Sequence, residues 1–171
     1  MGWKIIGRSE FPDKCIIIAA PHTSNWDFII ARCYGYVVDL SVNYLAKKEL
    51  FIPFIGFILK INGAIPVDRI SANNLVNTIA LKFKQNKRFI LGLSPEGTRS
   101  RVEKWKTGFY YMAIKSEVPI LFLKIDYKIK EIGVFNEFYP TGDFEKDMMF
   151  IQNEFSSFAG KIPENYNSII F

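Results

Sequence analysis

The chain holds one histidine, His22, and a carboxylate, Asp27, five positions after it. A neutral imidazole can take a proton from an alcohol. It does so best when a second group accepts its other N–H, fixing the tautomer and stabilising the cation that forms. Five residues across a strand-to-helix turn can fold Asp27 back onto His22. No protein nucleophile accompanies the pair. Ser94 lies in Gly92-Leu93-Ser94-Pro95-Glu96, which lacks the second glycine of a nucleophile elbow. A His-Asp dyad of this kind needs a substrate that brings its own nucleophile. The competing reading is a structural histidine followed by a helix-start carboxylate.

The elements around the pair put it at a strand end. Cys15 to Ala20 is apolar and rich in β-branched residues, which predicts a buried strand. Thr23, Ser24 and Asn25 can each cap a helix, with Asp27 in its first turn and the helix running from Trp26 to about Asp39. In open α/β sheets the carboxyl edge of the strands is where ligands bind. Downstream, strands are predicted over 42–46, 64–68, 89–93, 119–125 and 131–135, with a short one over 3–6. Helices are predicted over 48–61 (broken near Pro53), 71–86, 107–117 and from Gly142-Asp143 to about Ala159. Residues 161–171 have no pattern. Alternating strands and helices predict an α/β fold, a mostly parallel sheet flanked by helices, in one domain spanning 1–171.

Composition bounds the function classes. Hydrophobic residues make up 49% of the 171, enough for a real core. The net charge of +5 favours anionic partners such as phosphorylated metabolites, nucleic acid or an anionic membrane surface. The charges are dispersed and no nucleic-acid-binding motif is present. No phosphate-cradling Gly-rich loop with Lys-Ser/Thr supports nucleotide hydrolysis. Cys15 and Cys33 fit no metal-ligand spacing and are expected as two buried free thiols; with one histidine, a zinc site is not expected. Met1 to Arg8 lacks the apolar core of a cleaved leader, so a reducing, intracellular setting is expected. No apolar run reaches the roughly 20 residues of a membrane span. Phe51, Ile52, Phe54, Ile55, Phe57 and Ile58 read either as a lipid-facing patch or as a buried helix or the wall of an apolar tunnel.

Two further polar segments adjoin strands. Gly63-Ala64-Ile65-Pro66-Val67-Asp68-Arg69 ends in an arginine, and Ser94 to Ser100 carries Glu96, Gly97 and Arg99. Arginine forks suit phosphate oxygens, and a glycine lets backbone approach a ligand. Taken singly, each arginine reads as a surface residue in a turn rather than as a site.

The order His22-x4-Asp27, Gly63-x4-Asp68-Arg69, Pro95-Glu96-Gly97-Thr98-Arg99-Ser100 and Val118-Pro119-Ile120 resembles the glycerolipid acyltransferases, the 1-acyl-glycerol-3-phosphate acyltransferase and lysophospholipid acyltransferase group. Ser94 departs from the Phe common before the Pro-Glu-Gly segment, and Trp26 is bulky beside the histidine. The resemblance implies acyl transfer from a thioester donor, acyl-CoA or acyl-carrier protein, to a lysophospholipid hydroxyl, with no bound cofactor. His22 would be the general base and Asp27 its orienting partner. Glu96, Gly97, Thr98 and Arg99, assisted by Arg69, would hold the acceptor's glycerol-phosphate region. It implies peripheral contact with an anionic membrane at its cytoplasmic, inner face. Many relatives carry N-terminal spanning helices; none is expected in this sequence, and its dispersed charge gives no expectation of a nucleic-acid partner. Two other readings stay open: a different lipid acceptor (an amino-lipid or lipid A precursor), and a non-catalytic lipid or acyl-thioester binding module.

Overall fold

The computed structural model describes residues 2–67, 72–169 and 171. After an edge strand β1 (Lys4–Ile5), the chain forms β2 (Lys14–Ala20), α1 (Asn25–Val37) and β3 (Asn43–Lys47). A 3-10 turn (Lys48–Leu50) leads to α2 (Ile55–Ile61), β4 (Ala64–Val67), α3 (Ala72–Gln85) and β5 (Phe89–Leu93). Then follow α4 (Gly108–Ser116), β6 (Ile120–Asp126), β7 (Glu131–Phe138), α5 (Phe144–Phe155) and a last 3-10 turn (Pro163–Asn165). The strands form one sheet in the order β1-β7-β6-β2-β5-β3-β4. All pairings are parallel except β6 with β7. That exception follows from the chain: Tyr127 to Lys130 is too short for the crossover a parallel pair requires. The expected fold class, a mostly parallel sheet flanked by helices, is the one observed.

β2 lies between β6 and β5 at the centre of the sheet, which explains its unbroken apolar run. Its side chains alternate between two cores. Ile16, Ile18 and Ala20 pack with Phe83 of α3, Phe109 and Tyr110 of α4, and Ile151 and Phe155 of α5. Cys15 and Ile17 face Tyr34 of α1 on the opposite side. Helices thus leave the carboxyl edge of β2 on one face and that of β5 on the other, opening a crevice between them.

Several expectations need correction. Cys15 is buried, but Cys33 is exposed. The inward stripe of α1 is Asp27, Ile30, Ala31, Tyr34, Gly35 and Val38, spaced by three and four, and Cys33 falls off it. α1 stops at Val37, where Asp39 turns to φ +51°. The 48–61 segment is helical only at its ends, with the break around Pro53 as expected. β7 runs three residues further than predicted because it pairs with β6 out to Phe138. The patternless tail is ordered by long-range contacts: Arg101 donates to the Tyr166 carbonyl at 2.8 Å, and Tyr166 Oη donates to the Phe155 carbonyl at 2.7 Å. Asp68, Arg69 and Ser71 lie outside the described residues.

Candidate active site

The turn between β2 and α1 shapes itself. Ser24 is the N-cap of α1, and its Oγ accepts from Trp26 N–H. Asp27 reaches back so that its Oδ2 accepts from Ser24 N–H at 2.8 Å and Thr23 N–H at 2.7 Å, closing a capping box. The same oxygen lies 3.2 Å from His22 Nδ1. Capping the helix and facing the histidine are therefore one arrangement, and the structural and chemical readings of Asp27 do not compete. Oδ1 of Asp27 accepts from the Tyr127 hydroxyl at 2.6 Å. Asp27 is only 1% exposed. Burial alone would push its carboxyl up, but donation from His22, Tyr127 and Ser24 outweighs it and holds the group below the ordinary carboxylate value.

Behind the histidine stands Glu96. Its Oε1 accepts from the backbone N–H of His22 at 2.7 Å, so it fixes the main chain at the motif. Glu96 is 2% exposed and points inward, while its neighbours Gly97, Thr98 and Arg99 border the groove described below. Burial pushes its carboxyl up to about 8; the His22 N–H lowers it and nearby Asp27 raises it further. The acid is thus mostly protonated near neutral pH. A carboxyl raised on folding costs stability as pH climbs from its unfolded value of 4.5 toward about 8. Wild-type melting temperature should fall across that window. Glu96→Gln, neutral and able to accept the same N–H, should remove most of that fall while keeping the fold; an unchanged pH slope in the variant would refute the assignment. Asp27, depressed from 3.8, contributes the opposite slope only in more acid solution.

His22, with its side chain 23% exposed, opens onto a groove of about 2000 Å³. One arm runs beneath α1, walled by Ile17, Ala19, Tyr34, Leu123 and Ile125. Another lies beside α3 and α4, walled by Leu75, Val76, Phe109 and Met112. Arg32, Lys47, Arg99, Lys106 and Lys115 line the groove, and Asp27 is its only carboxylate among the described residues. Gly97 has φ +66°, and a Cβ there would stand 3.0 Å from Lys106 Cδ, Cε and Nζ, so the lysine lies flat across the glycine. The Lys106 ammonium has no ion-pair partner among the described residues. Ser94 Oγ, also at the groove, is buried with no hydrogen-bond partner among the described residues.

The sequence-predicted residues His22, Asp27, Gly97, Thr98 and Arg99 therefore share one groove, Glu96 stands directly behind it, and Arg69 lies outside the described residues. Two contributors escaped the sequence reading. Tyr127 follows β6, a hundred positions from Asp27, and no local signal marks it. Lys106 had a weak signal: a cation in Trp105-Lys106-Thr107-Gly108, just ahead of a helix that follows a glycine-bearing turn. The C-terminal segment closes the back of the turn, where Ile162 N–H donates to Thr23 Oγ1 at 3.1 Å and Lys161 Nζ lies 4.9 Å from the Trp26 ring centre.

Residues 3–125 match the family model described as Acyltransferase, and the chain belongs to that family. Among its curated relatives is the 1-acyl-sn-glycerol-3-phosphate acyltransferase of Escherichia coli, 33% identical over 110 residues (61% of this chain, 44% of that protein). The protein of the same name in Saccharomyces cerevisiae is 28% identical over 127 residues (69% of this chain, 41% of that protein). The chain thus spans less than half the length of these relatives. The crystal structure of the 1-acyl-sn-glycerophosphate (LPA) acyltransferase, PlsC, from Thermotoga maritima superposes with a TM-score of 0.62 at 20% identity, covering 88% of this chain and 68% of that one. At that identity the likeness speaks for the fold.

Proposed function

We propose that the protein is an O-acyltransferase that moves a fatty acyl group from acyl-CoA or acyl-carrier protein to the hydroxyl of 1-acyl-glycerol-3-phosphate, a step in phospholipid synthesis. The observation that carries this reading is the His22 ring. Its Nδ1 faces a buried, charged Asp27, leaving Nε2 for a substrate in the groove. The acceptor hydroxyl attacks the thioester carbonyl carbon while Nε2 takes its proton. A C–O bond forms and the carbonyl electrons move onto oxygen. Collapse of that tetrahedral species breaks the C–S bond, and the departing thiolate recovers the proton from the imidazolium. The cycle ends with an ester, a free thiol and neutral His22. Asp27 stabilises the cation midway and holds the ring's tautomer. No bound cofactor takes part.

Arg99 and Lys106 beside Gly97 suit the acceptor phosphate: one offers a planar fork and the other a compact charge. The apolar arms suit acyl chains. The family match and the relatives' names support the same chemistry. Because the acceptor is a lipid, the proposed workplace is the inner face of the cell membrane, in peripheral contact with anionic lipid; a net charge of +5 favours that contact. No helix among the described residues is long and apolar enough to cross a bilayer.

The test is thiol release from acyl-CoA by the purified chain, with 1-acyl-glycerol-3-phosphate, with the same lipid lacking its phosphate, and with no acceptor. Release that depends on the phosphorylated acceptor is the expected result. Equal release with the phosphate-free lipid would move the acceptor class elsewhere. Thioester binding without release, with acyl-CoA or acyl-carrier protein, would favour a binding module.

A further inference from the structure

The segment after β3 breaks an ordinary rule of folding. α2 reads Ile55-Gly56-Phe57-Ile58-Leu59-Lys60-Ile61, apolar almost all round, and such a helix belongs inside a core. Only Gly56 of its residues is buried. Phe57 and Ile61 are each 69% exposed, and Ile55 and Ile58 are exposed beside them. The preceding turn adds Leu50, Ile52 and Phe54, the last 83% exposed. Phe54 also holds φ +76°, a region costly to a bulky residue. Its backbone is bent in a way that presents the ring rather than hiding it. Gly56 sits so close to Phe51 that an added Cβ would lie 3.0 Å from the Phe51 backbone. The turn and helix are thus braced against each other, forming a compact apolar tip.

The surroundings of the tip decide its occupant. Among the described residues of this segment, Lys47, Lys48 and Lys60 are exposed, against one acid, Glu49. An apolar face rimmed by lysine is the pattern of a segment lying in the interface of an anionic bilayer, its rings among the acyl chains and its ammonium groups among the phosphates. The tip follows the carboxyl end of β3, so it shares the sheet edge that carries His22. Lys47 and Leu50 stand on the rim of the tip and also line the groove.

We propose that Phe54, Phe57, Ile58 and Ile61 form the face by which the protein inserts into an anionic bilayer, placing the groove mouth at the lipid surface so that lipid enters without crossing water. The lipid-entry part rests on the acyltransferase reading; the insertion part does not. The test is co-sedimentation with vesicles of phosphatidylglycerol and phosphatidylcholine, and with phosphatidylcholine alone. Wild type should partition onto the anionic vesicles. Phe54→Ser/Phe57→Ser should lower that partition about a hundredfold, from the loss of two ring insertions. Lys48→Glu/Lys60→Glu should abolish the preference for anionic lipid. All four side chains are exposed, so melting temperatures should be unchanged.

In parallel, each protein is assayed without vesicles on short-chain acyl-CoA and short-chain lysophosphatidate, both monomeric in water. The ring variant should turn these over like wild type. Undiminished vesicle binding by the ring variant would overturn the proposal. So would a wild-type dimer in light scattering that becomes monomeric in that variant, since the tip would then be a contact between copies. A soluble assay silent in wild type with short-chain acyl-CoA and with short-chain acyl-carrier protein as donors, with vesicle binding intact, would overturn the acyltransferase reading and leave the insertion face standing.

Discussion

His22→Ala is expected to lower acceptor-dependent thiol release by a hundredfold to ten-thousandfold, roughly the range a positioned general base supplies. The loss should fall on kcat, with little change in KM for either substrate, because the ring's task is proton transfer rather than holding the lipid. The variant should fold. His22 is partly exposed at a strand end, and the Glu96 contact uses its backbone N–H, which alanine retains. Melting temperature and the far-ultraviolet spectrum check this. Turnover near the wild-type rate in a folded His22→Ala protein would refute the dyad as the catalytic device. Because the chain has one histidine, no second imidazole can substitute for it.

The dyad was legible because it is local. Capping chemistry over Ser24 and Asp27, together with a β-branched run ending at Ala20, is enough to predict a strand, a turn and a helix with a carboxylate folded back. Strand–helix alternation carried the fold class for the same reason. What was not legible depends on contacts between distant parts of the chain. Tyr127 reaches Asp27 only because β6 lies beside β2 in the sheet. The Pro-Glu-Gly turn was visible as a motif, yet the sequence cannot say that Glu96 faces inward to His22 N–H while Thr98 and Arg99 face out. Lys106 gains meaning only once Gly97 is seen to leave room for it. The apolar run from Phe51 to Ile58 illustrates a more general limit. Hydrophobic periodicity describes a helix's own faces but not whether anything covers them. Here most of the run is exposed, with Phe51 half-buried and Gly56 buried.

Asp27→Asn and Tyr127→Phe, taken as a pair, test whether the buried carboxylate acts on the histidine by charge. Asparagine keeps the shape of Asp27. Its amide oxygen can still accept from Thr23 and Ser24, and its nitrogen can face the Tyr127 oxygen, so the turn should survive. What it loses is the negative charge 3.2 Å from His22 Nδ1. The imidazolium formed during transfer is then uncompensated, and kcat should fall by a hundredfold to ten-thousandfold, as is typical when such an orienting carboxylate is neutralised. Tyr127→Phe does the reverse on a smaller scale. Removing its hydroxyl withdraws one donor from Asp27 and leaves more negative charge facing the ring, while loosening the carboxylate's position. A loss of about tenfold to a hundredfold is expected, since a hydrogen bond to a charged group contributes about 1.5–3 kcal/mol. The two variants separate in the size of the loss: removing the anion should cost more in kcat than removing the tyrosine donor, and equal losses would contradict the charge coupling. The single histidine allows an independent check by nuclear magnetic resonance of its ring nitrogens. Wild type should carry the neutral ring's proton on Nδ1, and Asp27→Asn, whose amide oxygen is a weaker acceptor at that place, should weaken that preference.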